Sequence, residues 1–423
     1  MSLPSESVID AAQLKIDAAR LQAEIDHLAG FSSTPGPGVT RILFTDTDIA
    51  GRAYVKALMR DAGLEVFDDP AGNIFGRWAG SGSDPARVGT GSHCDAIPHA
   101  GRYDGTVGVL GGIAAVRALR AAGYVPRRSI DIIMFTSEEP TRFGIGCSGS
   151  RLLSSSLSPA EVAGLVDEQG ISFDAARAIA GCSGRLEDVP LGTADYAAFV
   201  ELHVEQGPVL ERESLAIGVV TAIAAPASFV VTFRGAGGHA GTVLMPDRFD
   251  ALVPAAALVC RAEQLARESG SPDTVATAGK LDVHPGAINS IPREVSVSFD
   301  VRDTDGQVRD RVVRDIRAFA AELAQERKLE LHIRDINADP PQHADARIVS
   351  AVEQACARAA LSHRRLVSRA YHDALFMARI APMGMIFVPS KAGISHRPDE
   401  YTSMQEMANG VRVLADVLAS LAA

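Results

Sequence analysis

Five side chains with metal-ligand chemistry, His93, Asp104, Glu139, His203 and His396, are spread along a chain of 423 residues. Each stands where an apolar, strand-like run gives way to a glycine-rich or polar loop. Imidazole and carboxylate together suit a borderline divalent ion such as Zn²⁺ or Mn²⁺. If the five converge, the chemistry is metal-dependent hydrolysis. Glu138 strengthens that reading. Two adjacent carboxylates at the end of a buried strand repel each other and lose hydration, and a nearby cation removes that cost. One glutamate then binds metal while its neighbour serves as general base.

Each signal has a plainer alternative when taken alone. His93-Cys94-Asp95 puts a carboxylate where it can accept the second ring N–H of a ligating histidine, or it is a loop histidine beside a solvated aspartate. Asp104, between Gly101 and Gly105, is an inward-pointing ligand or an ordinary Asp-Gly turn. Glu138-Glu139 is a base and ligand or a solvated pair at a helix start. Glu201, His203 and Glu205 share one face of a strand, which meets a cation or lies at an exposed edge. His396 follows Gly393-Ile394-Ser395 as a ligand or a surface histidine. His239, within Gly237-Gly238-His239-Ala240-Gly241, could donate to a developing oxyanion. Arg369-Ala370-Tyr371-His372-Asp373 lines a pocket or carries a structural His–Asp pair. His99, His284 and His343 read as surface or satisfied core residues.

The elements that must position these groups follow from periodicity. Residues 1–30 look helical, with an acidic amphipathic stretch from Ile9 to Leu28. A second helix is expected over Asp46–Ala62 and a hairpin around Asp69–Asn73. The strand at 88–93, the helix Val107–Ala122 and the buried strand Ile130–Phe135 come in strand–helix–strand order. That order argues for an α/β, mostly parallel sheet with helices on both faces, whose ligands collect at the carboxyl ends of the strands. After Gly218 the pattern changes. Residues 229–234 and 295–301 alternate with period two, and helices are expected over Asp250–Glu268 and Asp310–Arg327. The buried-strand pattern returns at 385–388, and Ser403 with Glu406 forms a capping-box signature. The expected organisation is a catalytic domain of residues 1–216 and 334–423, interrupted by an inserted α+β domain of residues 217–333.

Composition excludes several classes. Hydrophobic residues make up 47% and charged residues 22%, as in a soluble globular protein. The 41 basic and 52 acidic residues leave a formal net charge of −11 with no basic cluster, so neither nucleic acid nor an anionic membrane is an expected partner. No apolar run of about eighteen residues is present to span a bilayer. The five cysteines form no C-x-x-C pair and suit free thiols in a reducing cytoplasm. The N-terminal stretch lacks the basic-then-apolar pattern of an export signal.

In order, the chain carries GSHCDAIPHAGRYDG, FTSEEPTRFG, ELHVEQGPVLE, GGHAGTVLMPDR, HPGAINSIP with FDVRD, and MIFVPSKAGISH. Together these resemble the M20-type amidohydrolases of the hydantoinase/carbamoylase group, from about residue 20 to the end. The resemblance implies a catalytic domain with two divalent ions, Mn²⁺ first, with Zn²⁺, Co²⁺ or Ni²⁺ as alternatives. It implies a smaller domain that acts as lid and dimerisation surface. Carried over by motif, His93 and His203 hold one ion, Glu139 and His396 the other, Asp104 bridges them, and Glu138 is the base. Gln206, His239, Asn289 and Arg302 match substrate-contacting positions. His239 is implied to reach the partner subunit's site in a homodimer. Pro140, the stretch Thr242–Met245, and the segments AIPHAGRYDG and SRAYHDALFMARI are most similar to the ureidoglycolate amidohydrolases. That implies hydrolysis of (S)-ureidoglycolate to glyoxylate, carbon dioxide and ammonia in purine degradation. The alternatives are N-carbamoyl-L-amino acid hydrolase, β-ureidopropionase and allantoate amidohydrolase, and further off a peptidase or a silent binding protein.

Overall fold

The computed structural model describes residues 14–423. These form two compact units. The first runs to Thr221 and takes in Ala344–Ser368 and His372–Ala423, and the second is Ala222–His343 with Arg369–Tyr371. Residues 334–343, expected in the catalytic domain, lie in the second unit, as does the short segment Arg369–Tyr371.

The principal strands are, in chain order, Glu65–Asp68 (β1), Ile74–Trp78 (β2), Arg87–His93 (β3), Ile130–Phe135 (β4), Tyr196–Val204 (β5), Ile217–Ile223 (β6), Ala225–Arg234 (β7), Val275–His284 (β8), Glu294–Asp303 (β9), Glu330–Ala338 (β10), His363–Ser368 (β11) and Met383–Val388 (β12). The principal helices are Ala18–Ala29 (α1), Asp46–Asp61 (α2), Thr106–Ala121 (α3), Leu252–Arg267 (α4), Gly306–Glu326 (α5), Ala346–Arg358 (α6) and Met404–Leu421 (α7).

In the first unit the sheet order is β6-β12-β5-β3-β4-β2-β1, with β11 beside β6. Neighbours from β12 to β4 pair in parallel, while β6/β12, β4/β2 and β2/β1 are antiparallel. The sheet is therefore mixed, which corrects the mostly parallel expectation. The reason is local at one edge. β1 and β2 are joined by the tight turn at Asp69–Asn73, where Asp69 Oδ1 accepts the N–H groups of Ala71 and Asn73 at 2.9 Å. A connection that short permits only antiparallel pairing.

β4 and β12 are buried along their whole length, as expected of strands covered on both faces. Alternation along β5 shows the two coverings. Leu202 points toward α3, where a Cβ on Gly111 would lie 2.8 Å from Leu202 Cδ2. Glu201 and His203 point the other way. There the backbone N–H of Ala374 donates to Glu201 at 2.9 Å, and the ring of His372 meets that of His203 edge-on at 4.5 Å.

The second unit is a four-stranded antiparallel sheet in the order β8-β9-β7-β10. β9 alternates strictly between half-buried and buried residues. Its buried face, with Val295, Val297, Phe299 and Val301, shares a core with Phe229, Val231 and Phe233 of β7 and with Leu258 and Ile316 of α4 and α5. β8 is a largely exposed edge strand.

The expected N-terminal helix is described only in part. Residues 1–13 lie outside the described residues, and α1 begins at Ala18, where Asp17 accepts the Arg20 N–H at 2.9 Å. α7 starts on the expected Ser403/Glu406 capping box. Among the described residues no helix is long and apolar enough to cross a membrane.

Candidate metal centre

Parallel register brings distant parts of the chain to one end of the sheet. His93 closes β3 beside Phe135 of β4, and His203 on β5 lies beside Phe387 of β12. Glu139 and His396 follow the carboxyl ends of β4 and β12, and Asp104 sits in the loop before α3. All five expected ligands thus meet at the strand ends, where parallel α/β sheets place their sites.

Asp104 is the shared member. Its Oδ1 lies 3.1 Å from His203 Nε2 and 3.6 Å from His93 Nε2. Its Oδ2 lies 3.2 Å from His396 Nε2, which is 3.3 Å from Glu139 Oε1. Two ligand groups result, His93–Asp104–His203 and Asp104–Glu139–His396, each with ligand atoms within 4.8 Å of one another. The second ring nitrogens are tied down: His203 Nδ1 is 2.8 Å from the Val204 carbonyl oxygen and His93 Nδ1 is 3.1 Å from that of Asp95. Both therefore turn Nε2 toward Asp104. Gly105, with φ 64°, permits the approach, since a Cβ there would lie 2.4 Å from the His93 ring.

The electrostatics ask for positive charge. Burial, with Asp104 beside it, pushes the Glu139 carboxyl up to about 7. His396, hydrogen-bonded to Asp104 and facing Glu139, is raised to about 9. Burial opposes charge on His93, yet Glu138, Asp104 and Asp95 outweigh it and hold this imidazole well above its ordinary value. Burial works against the Asp104 carboxylate too, but His203, His396 and His93 keep its pKa well below the usual range. Protons on imidazoles thus balance the crowded carboxylates. Divalent cations would meet the same demand, and the donor set of carboxylate oxygens and imidazole nitrogens fits them.

Glu138 stands beside this cluster, with Oε2 3.8 Å from His93 Nε2. Burial, then Glu139, Asp373 and Asp95, push its pKa well up against the pull of His93. The Cys147 thiol lies 3.6 Å from Glu138 Oε1. The Asp95 carboxylate is 3.6 Å from His93 Nδ1, whose nearer contact is the Asp95 carbonyl oxygen, and it also accepts the backbone N–H groups of Glu138 and Glu139 at 3.2 and 3.0 Å. It ties the glutamate pair to the histidine strand.

Sequence reasoning missed Glu400. This buried carboxylate accepts the backbone N–H groups of Tyr103 and Asp104 at 2.8 and 3.0 Å. The Ser395 hydroxyl lies 2.8 Å from Glu400 Oε2 and 2.7 Å from Asp104 Oδ2, and with one hydrogen it donates to one of them at a time. Glu400 so locks the Asp104 loop to the loop carrying His396. In Glu400→Gln, metal affinity is expected to fall about 10–100-fold, the usual cost of losing a group that orients a ligand. Competition against a chelator measures it, and an unchanged affinity would remove Glu400 from the metal-supporting network.

The expected substrate-contacting residues are divided between the units. In the first, Gln206 donates from Nε2 to Asp104 Oδ2 at 2.7 Å, while its buried Oε1 has no hydrogen-bond partner among the described residues. His372 is buried, with Nε2 2.7 Å from Ser368 Oγ. In the second unit, exposed His239 sits on a two-residue ribbon, Gly238–His239 paired with Ser290–Ile291. Asn289 is next to it, its carbonyl accepting the Ala240 N–H at 2.9 Å. Arg302 is held by Asp300 at 2.7 and 3.1 Å and donates to the Arg369 carbonyl oxygen at 2.6 Å. Tyr371 donates to Asp339 at 2.7 Å.

Residues 89–420 match the model of peptidase family M20/M25/M40. A ureidoglycolate hydrolase of Oryza sativa subsp. japonica is 52% identical over 411 residues, 96% of this chain and 85% of the relative. An N-carbamoyl-L-amino-acid amidohydrolase of Paenarthrobacter aurescens is 37% identical over 409 residues, covering 96% and 98%. A crystal structure of AtUAH in complex with (S)-hydroxyglycine superposes with a TM-score of 0.88 at 50% identity, covering 98% of this chain and 100% of that one. With the fold, the ligand cluster and these likenesses together, the chain belongs to peptidase family M20/M25/M40, among the amidohydrolases of its hydantoinase/carbamoylase group.

Proposed function

We propose that this protein hydrolyses (S)-ureidoglycolate, using two divalent metal ions held by the five ligands. The observation that carries the reading is the Asp104 carboxylate shared between two ligand groups, with Glu138 outside both and 3.8 Å from His93. His93 and His203 would hold one ion and Glu139 and His396 the other, with Asp104 available to both. Mn²⁺ is the first choice, and Zn²⁺, Co²⁺ and Ni²⁺ suit the same donors. When bound, such ions lower the pKa of water and polarise a carbonyl group.

Glu138 takes the proton from the attacking water and returns it to the departing nitrogen. Burial and the like charge of Glu139 raise its pKa, which favours holding that proton, and bound cations would counter this rise. Hydrolysis of the ureido group releases ammonia and carbon dioxide and leaves hydroxyglycine, which breaks down to glyoxylate and a second ammonia. His239 is assigned as the donor that stabilises the oxyanion. Arg302 and Asn289 are assigned to the substrate's carboxylate. Asp300 fixes the guanidinium plane of Arg302, and with the Arg369 carbonyl taking one Nη1 hydrogen, one N–H on each terminal nitrogen is left for a ligand. Gln206, Tyr371 and His372 are assigned to the substrate as well.

The second unit is assigned as lid and dimerisation surface, with His239 serving the partner subunit's site. In support, β8 leaves a sheet edge exposed and carries Val275 and Leu281 outward, as an edge awaiting a partner strand does. The cytoplasm fits the five free cysteines. Identity to a relative named ureidoglycolate hydrolase favours that substrate over N-carbamoyl amino acids.

A substrate panel tests the choice. Metal-loaded protein is expected to show at least about tenfold higher kcat/KM for (S)-ureidoglycolate than for allantoate or any N-carbamoyl-L-amino acid, a modest 1.4 kcal/mol of discrimination. A higher value for any of those rivals would reassign the substrate within the same chemistry.

A further inference from the structure

A second site in the first unit lies on α2. A cavity of about 190 Å³ is lined by Ile49, Arg52, Ala53, Lys56 and Arg60 of that helix, and closed by Phe44, Asp68, Gly72 and Cys182 among others. Arg52, Lys56 and Arg60 follow one another at four-residue spacing, so one helix face presents three cations to one space.

Arg52 is built in rather than solvated. It is only 7% exposed. Asp48 accepts from its Nε at 2.7 Å, and the Gly72 carbonyl oxygen accepts from Nη1 at 2.7 Å. Its guanidinium carbon lies 5.2 Å from the Phe44 ring centroid. The remaining nitrogen, Nη2, is buried and has no hydrogen-bond partner among the described residues. A buried, charged N–H group without an acceptor is costly, and Asp48 Oδ1 beside it is likewise buried without a partner among the described residues, so a small acceptor entering the cavity that Arg52 lines would relieve it. Gly72, at φ +90°, keeps the wall in place, since a Cβ there would meet Cys182 Sγ at 3.1 Å and the Phe44 ring at 3.2 Å.

The charges leave a surplus. Asp48 pairs with Arg52 and Asp68 with Lys56, and Arg60 adds a third cation against these two carboxylates. The volume is below the roughly 300 Å³ at which pockets for drug-sized ligands begin. We propose that this cavity is an anion-binding site for a small oxyanion, a carboxylate or a phosphate, gripped by Arg52 Nη2 and neutralised by Lys56 and Arg60. It shares no residue with the metal-centre and substrate residues assigned above.

Calorimetric titration of the metal-loaded, full-length protein at low ionic strength with inorganic phosphate, and separately with malonate, tests this. Saturable binding of one anion per chain is expected for at least one of the two, and the tighter one identifies the class. It should weaken as salt is raised. In the double variant Lys56→Gln/Arg60→Gln, affinity should fall at least tenfold while turnover without added anion stays at the wild-type level. Arg52→Lys, which keeps the charge but loses the fork, should weaken binding by a comparable factor. Absence of saturable binding for both anions would overturn the proposal. Binding that persists undiminished in the double variant would do the same, because it would place the anion elsewhere, including at the metal ions.

Discussion

Replacing Glu138 with glutamine is expected to leave metal binding intact and to lower kcat by about 10²–10⁴-fold, the range for losing a general base. The substitution keeps the shape and removes only the ability to take a proton. Glu138 is not in either ligand group, whereas Glu139 is. Its backbone N–H is held by Asp95, so the glutamine should occupy the same place. The variant is measured by bound metal per chain together with kcat. Near-normal turnover with normal metal content would reject Glu138 as the base. Loss of metal together with turnover would mean that it is a ligand instead.

The second large effect is expected at Asp104, and there metal and stability should both change. Asp104 Oδ1 faces His93 and His203, and Oδ2 faces His396. In Asp104→Asn one oxygen is replaced by an N–H donor that can neither ligate nor pair with an imidazolium. Metal affinity should fall by more than the roughly 100-fold upper range for supporting residues, and turnover should be lost with it. The metal-free protein should also be less stable at neutral pH by about 3–5 kcal/mol, the cost of removing one partner from a buried charged pair. The sign with pH follows from the depressed Asp104 pKa. Its stabilisation is present above the ordinary carboxylate pKa and is lost as pH falls through the folded value. The destabilisation should therefore be large at pH 7 and shrink in strong acid. Chemical denaturation of metal-stripped protein measures it, and equal stability at pH 7 would refute the paired-charge account.

The ligands were legible because each interrupts a strong local pattern. His93 ends a strand, Glu139 follows the nearly all-apolar run Ile130–Phe135, and His396 follows the run ending at Val388. Glycine beside Asp104 marked a sharp bend, and Gly105 does clear space for the His93 ring. Glu400 was not legible. A lone glutamate in a polar loop looks solvated, and nothing local shows that Tyr103 and Asp104, nearly three hundred positions earlier, point their N–H groups at it.

The fold divides the same way. β9 was read from its alternation, because one face is buried and the other is not. β8 pairs with it along its whole length yet went unread, since an exposed edge strand with Gly279 and Lys280 in its middle has no hydrophobic rhythm to detect. The sheet was read as mostly parallel from the strand–helix–strand order of β3, α3 and β4 and from the apolar run of β12. The hairpin of β1 and β2 was read from its turn, but how β2 and β6 join the sheet antiparallel is not encoded in periodicity. Arg302 was found by motif, but its grip on Asp300 is visible only once both are known to lie on one strand face, two residues apart.

The most direct test is a titration of Mn²⁺ into metal-stripped protein, following bound metal per chain and glyoxylate release from (S)-ureidoglycolate in the same samples. The account predicts no turnover without metal and a rise to full activity as occupancy reaches two ions per chain. Full glyoxylate release from the metal-free protein, or two ions bound with no release, would contradict it.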